Sequence, residues 1–146
     1  MPRIVTHFGR FGRVLTIGKL VCDNMAMGVR YFVADVQASL TFYVDLLGFE
    51  KVEHWGEAFA IVRWGDQVLW LSGPESSAAR PMPDGRAPEP GGWNRIVVPV
   101  EDVRTTADAL KAAGVEFRGA VISGPGGSQV LIEDPDGNPV ELFQAR

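Results

Sequence analysis

VADVQASLTFYVDLLGFE, residues Val33 to Glu50, moves from an extended segment into a helix and out again. Asp35 is placed as an N-cap, its carboxylate able to accept from the free N–H groups of a first turn. Val36, Leu40, Tyr43, Val44 and Leu47 then recur on one helical face, and Gly48 can take the left-handed conformation that ends a helix. Upstream, GVRYFVADV from Gly28 is rich in β-formers, so the order is strand, then helix. Downstream, FEKVEHW and EAFAIVRW read as strands, and Gly65-Asp66 is a two-residue turn into QVLWLS, the chemistry of a hairpin.

Beyond that hairpin, Gly73 to Gly92 contains Pro74, Pro81, Pro83, Pro88 and Pro90, which exclude long regular structure. The pattern then restarts. WNRIVVPVEDV is an extended run closing on a second capping acid, Asp102, and RTTADALKAAG is a helix stopped at Gly114. VEFRGAV and GSQVLIED read as strands, Pro135-Asp136-Gly137 as a turn, and PVELFQ as the last strand. VADV at Val33 matches VEDV at Val100, and LLGFE at Leu46 matches AAGVEF at Ala112 with a one-residue slip at the glycine. Two copies of one strand–helix–strand–strand–strand unit follow, neither able to bury its sheet alone. The expectation is an α+β protein: a first module over about 28–72, a linker over 73–92, a second module over about 93–144, and a single domain spanning 25–146.

At 146 residues, 46% hydrophobic and 22% charged, the chain suits one globular domain with a substantial core. Residues 1–24 hold Arg3, Arg10, Arg13 and Lys19 against Asp23 alone, so the remainder carries an acidic excess of seven, deeper than the −4 of the whole. Such a body is a poor partner for nucleic acid or an anionic membrane. Cys22 is the single cysteine, which removes any intrachain disulfide and points to the cytoplasm. Glycines and charges interrupt the first 24 residues too often for a transmembrane helix, and no clean secretory signal is present. They read as an extension outside the fold.

The paired modules, the VADVQASLTFYVDLLGFE segment and the closing EDPDGNPVELF resemble the vicinal oxygen chelate superfamily, over about Gly28 to Phe143. That superfamily holds glyoxalase I, extradiol dioxygenases, fosfomycin-modifying enzymes, epimerases and bleomycin resistance proteins. The resemblance implies a curled, cup-shaped mixed sheet with the substrate in the cup, and in enzymatic members a divalent metal held by four positions. Counted from the two repeats, those positions fall on Gly28, Trp70, Arg95 and Glu141. Only Glu141 can ligate, whereas a catalytic zinc or iron needs about three protein ligands. Of the two histidines, His7 lies in the leader and His54 at none of the four positions. The expectation is no metal cofactor, with one divalent metal held unconventionally by Glu141, His54 and water as the alternative.

Alternation in WNRIVVPV puts Ile96, Val98 and Val100 on one face and Trp93, Arg95, Val97 and Pro99 on the other. In PVELFQ, Glu141 shares a face with Pro139 and Phe143. An ion pair between Arg95 and Glu141 is therefore expected where relatives hold metal, with a solvated Glu141 as the plain alternative. Trp70 and Trp93 are expected to wall the cup, at least two of the four tryptophans to fill core, Arg30 to face the cup or snorkel, and His54 to lie on a strand surface. Asp35 and Asp102 are caps and the DPDGN stretch a structural turn. The expected function is metal-free binding of a cationic or planar organic molecule in an aromatic-walled cup involving Arg30, Trp70, Trp93, Arg95, Glu141 and Phe143. The alternatives are a metal-dependent lyase, isomerase or dioxygenase, and a structural partner. A homodimer is expected, with Arg80, Met82 and Arg86 on a lid formed by the linker, or on a plain solvated loop as the simpler alternative.

Overall fold

The computed structural model describes residues 28–146. The expectations for the leader, Cys22 and His7 lie outside them. Two four-stranded mixed sheets organise the chain. In the first, β1 (Gly28–Phe32) leads into α1 (Val36–Leu40), which continues as a π-helical segment, Thr41–Leu46, before β2 (Glu50–Trp55), β3 (Phe59–Trp64) and β4 (Gln67–Ser72). A single 3-10 turn, Ser77–Ala79, interrupts the proline-rich connection. The second sheet holds β5 (Ile96–Pro99), α2 (Val103–Ala112), β6 (Ile122–Gly124), β7 (Gly127–Glu133) and β8 (Pro139–Ala145). The orders β1-β4-β3-β2 and β5-β8-β7-β6 are the same arrangement twice.

Both caps form. Asp35 accepts from the Ala38 N–H at 2.8 Å, and Asp102 from the N–H groups of Arg104 and Thr105 at 2.9 Å. Gly65 has φ +56° while Asp66 does not reach positive φ, the pattern of a type II′ hairpin, and Trp64 pairs with Gln67 across it. The π segment was not expected. Its wider turn brings Phe42 and Tyr43 together into the core, with rings 5.0 Å apart in an edge arrangement, and leaves Val44 and Leu47 only partly covered.

One strand differs from its expected place. VEFRGAV forms only an isolated bridge from Phe117 to Ile132, and the edge strand is the later, three-residue β6. The segment still bonds to β7, the Arg118 N–H donating to Leu131 O at 3.0 Å and the Glu133 N–H to Glu116 O at 2.9 Å. The Arg118 guanidinium donates to Glu133 at 2.6 Å and to the carbonyls of Gly92 and Gly137 at 2.6 and 2.8 Å, tying the segment to two loops as well.

The core lies between the helices and one face of each sheet, and it is continuous across the modules through Tyr31, Tyr43, Leu71, Val98, Ile132 and Leu142. Polar bonds join them as well. The Tyr31 hydroxyl donates to Pro139 O and accepts from the Ile96 N–H, both at 3.0 Å, so it spans the mouth of the β5–β8 ladder. The Tyr43 hydroxyl donates to Asp134 at 2.9 Å, and the Asn138 amide donates to Phe32 O at 2.8 Å. Asp134 also accepts from the Asn138 side chain and from the N–H groups of Asp136 and Asn138. Burial nevertheless outweighs these donors and raises its carboxyl above the ordinary value, and burial likewise pushes the Tyr43 phenol well up.

Among the described residues, no helix is long and apolar enough to cross a membrane.

Candidate functional site

Register determines which side chains share the helix-free, open face of each sheet. In the first, Gly28 pairs with Val68, Arg30 with Trp70 and Phe32 with Ser72, while Ile61 and Phe59 oppose Trp70 and Ser72. Because paired residues point the same way, Arg30, Trp70, Phe59, Ile61 and Ser72 form one surface, with Trp55 at its β2 edge opposite Phe59. Three rings run across it: Trp55 and Phe59 have centroids 6.0 Å apart, Phe59 and Trp70 5.6 Å, both near edge-to-face. The Arg30 guanidinium lies 4.8 Å from the Trp70 ring centroid and 5.9 Å from that of Phe59, and donates to Ser72 Oγ at 2.7 Å.

Trp70 also decides what Gly28 can be. A Cβ on Gly28 would sit 3.2 Å from the indole Nε1, closer than most side chains tolerate. The two positions at which the resemblance would put metal ligands in the first module are thus a bare backbone and the indole that covers it.

On the second sheet's open face, Val97 pairs with Glu141, Pro99 with Phe143, and Leu131 opposes Glu141. Arg95 lies just before β5 and donates through Nε to Glu141 Oε2 at 2.7 Å. The side chain of Glu141 is 10% exposed and that of Arg95 32%, so a guanidinium bond meets a mostly buried carboxylate. Trp93 stands outside the strand, 71% exposed, its ring 4.7 Å from the Arg118 guanidinium. Sequence parity placed Trp93 on a strand face; the chain before Ile96 is irregular, and Arg118 supplies its seat instead.

The four positions do not fit a divalent ion. Gly28 has no donor, the Trp70 indole only donates, and the Arg95 cation is bound to the one carboxylate. Among the described residues, no three His, Cys, Asp or Glu side chains gather. His54 is exposed on β2, its Nε2 3.1 Å from Gly56 O.

The remaining tryptophans correct one expectation: Trp64 packs against the core, whereas Trp55 is 67% exposed, so one of the four fills core rather than two. Phe59, Ser72, Arg118 and Trp55 join these surfaces without having been singled out. Carrying the Gly65-Asp66 hairpin register back along β3 would have placed Phe59 beside Trp70.

No described hydrogen bond, ion pair or ring contact joins the two open faces; the modules meet through the helix-side core and the β8 turn. A cavity of about 450 Å³ lies between Val29, Trp64 and Leu69 of the first module and the β5 segment from Arg95 to Pro99. A second, of about 270 Å³, lies over the second sheet against Arg95, Arg118, Gln129 and Leu131. Arg95 borders both.

A family model described as the Glyoxalase/Bleomycin resistance protein/Dioxygenase superfamily matches residues 24–142. Among solved structures, a member of that superfamily from Sphaerobacter thermophilus is 29% identical, over 82% of this chain and 98% of its own, with a TM-score of 0.62. Lactoylglutathione lyase from Agrobacterium tumefaciens is 24% identical over 83% and 93% of the two chains, with a TM-score of 0.63. TnmS3, an antibiotic binding protein from a Streptomyces species, is 24% identical over 84% and 98%, with a TM-score of 0.58. The last two likenesses speak to the fold alone.

Proposed function

The chain belongs to the Glyoxalase/Bleomycin resistance protein/Dioxygenase superfamily, and from that premise we propose that it binds a small planar organic molecule without a metal cofactor. The observation that carries the reading is the floor of the inherited site. Where a metal would need converging lone pairs, the chain offers an indole over a glycine and a guanidinium bonded to a carboxylate. A surface that cannot chelate a metal can still bind, and the Trp55–Phe59–Trp70 rings offer flat apolar area for it. Arg95 and Glu141 would supply the polar end from the second sheet, with Phe143 beside them and Trp93 at its margin.

The proposed state is a cytoplasmic homodimer, in which the open face of one chain's first sheet and that of another chain's second sheet can meet. The superfamily relative that binds an antibiotic supports a sequestering role by analogy.

A thermal-shift screen of metabolites, antibiotics and divalent metals tests the reading, since a ligand specific to the native state raises the midpoint. For any hit, Trp70→Ala should weaken binding by about 1–3 kcal/mol with little loss of stability. Unchanged affinity would remove Trp70 from the site. About one metal per chain, lost together with turnover on Glu141→Ala, would favour the metal-dependent lyase, isomerase or dioxygenase reading instead.

A further inference from the structure

The acidic excess of the whole chain suggests a cationic ligand, but the charge that lies against Trp70 on the open face of the first sheet is the Arg30 cation. The strands GVRYF, FAIVRW and QVLWLS contain no Asp or Glu. Acids enter that sheet only on β2: Glu50 is bonded to Arg63 at 2.8 Å, and Glu53, opposite Ile61, shares the open face but sits three strands from Arg30, about 14 Å at the usual strand spacing. The described ion pairs occupy Arg63, Arg86, Arg95 and Arg118, and none involves Arg30.

Arg30 is nevertheless held in place. Ser72, itself 1% exposed, accepts from one terminal nitrogen, and the Trp70 ring lies against the guanidinium. A planar cation fixed in this way keeps its remaining N–H groups in its own plane, the geometry that takes two oxygens of one acid. Acids elsewhere on the body act through solvent and are largely screened beyond about 10 Å at ordinary ionic strength, whereas a bound group would touch Arg30 directly. A cationic ligand would meet a like charge already lying on the aromatic surface it needs.

We propose that this face receives a planar aromatic anion, a carboxylate or phenolate, with its charge on Arg30 and its ring against Trp70 and Phe59. The proposal rests on the binding function above and names the ligand class for it.

The test uses three probes of one shape: 2-naphthoate, 2-naphthamide and 2-naphthylmethylammonium, titrated calorimetrically at low salt into the full chain, Arg30→Met and Trp70→Ala. In the full chain, naphthoate should bind roughly tenfold tighter than the amide, the scale of a hydrogen bond to a charged group, and Arg30→Met should reduce that preference to about twofold or less. Arg30→Met should weaken naphthoate far more than the amide, whose carbonyl is only a neutral acceptor for Arg30, while Trp70→Ala should weaken both probes alike. Should the methionine variant misfold, Arg30→Gln carries the same readout. If the amide or ammonium binds as well as naphthoate, and still through Trp70, the anion proposal falls and the binding face stands. If none of the probes binds, or if binding ignores Trp70→Ala, the proposal falls together with the placement of the site on this face.

Discussion

Arg95 and Glu141 show how much a single charge pair constrains a sheet face. Their 2.7 Å bond involves a carboxylate that is mostly buried and a guanidinium one-third exposed. Removing either partner should therefore destabilise more than removing both. In a cycle of Arg95→Met and Glu141→Leu by urea unfolding, the expected coupling is about 1–3 kcal/mol; additive effects would dissolve the pair as an energetic unit. The pair could be read in the sequence because strand parity is binary: Arg95 is two residues from Val97, and Glu141 pairs with Val97. Arg118 could not be read, since two of its three partners lie in loops at Gly92 and Gly137, where no period operates. Asp134 contributes a pH dependence through its burial. Its folded carboxyl is raised above the ordinary 3.8 by burial, so the folded protein protonates first as pH falls. Its contribution is complete below 3.8 and is lost as pH rises through the folded value. The stability of the native chain relative to Asp134→Asn should accordingly be greater at pH 4 than at pH 7. A difference that grows toward pH 7 would contradict burial as the dominant influence.

Among the elements, those announced by local chemistry stand where the sequence put them. Asp35 and Asp102 start helices, and the Gly65 turn sets the β3–β4 register from which the aromatic surface follows. The elements that moved depend on distant partners. The π segment owes its register to the joint burial of Phe42 and Tyr43 and to the Tyr43 bond with Asp134, none of which local periodicity contains. Likewise β6 is only three exposed residues, paired on one side to β7. Its amides should lose protection from hydrogen exchange first among the strands of the second sheet, with the β7–β8 pair slowest. Uniform protection across that sheet would mean β6 opens only with global unfolding. An edge needs defence of another kind at β5: the Val100 N–H donates to Phe143 O, which places the Pro99 nitrogen on the outward side, where an N–H would otherwise invite a foreign strand.

On the scale of the whole molecule, the repeat of VADV and VEDV made the two-sheet architecture legible, because duplication is visible without any contact being known. The relation between the open faces was not legible, since it depends on how the core and the β8 turn orient the modules. With those faces unjoined in one chain, a dimer with two equivalent sites is the expected solution state, and light scattering at micromolar concentration should return twice the chain mass. A monomer there would leave each face to bind alone. The indole over Gly28 bears on descent. A histidine at Gly28 would collide with Trp70, a donor at Trp70 would face a glycine, and a donor in place of Arg95 would strand Glu141. On the proposed metal-free reading the four positions are coupled in pairs, Gly28 with Trp70 and Arg95 with Glu141, so building a chelating floor would take paired rather than single substitutions.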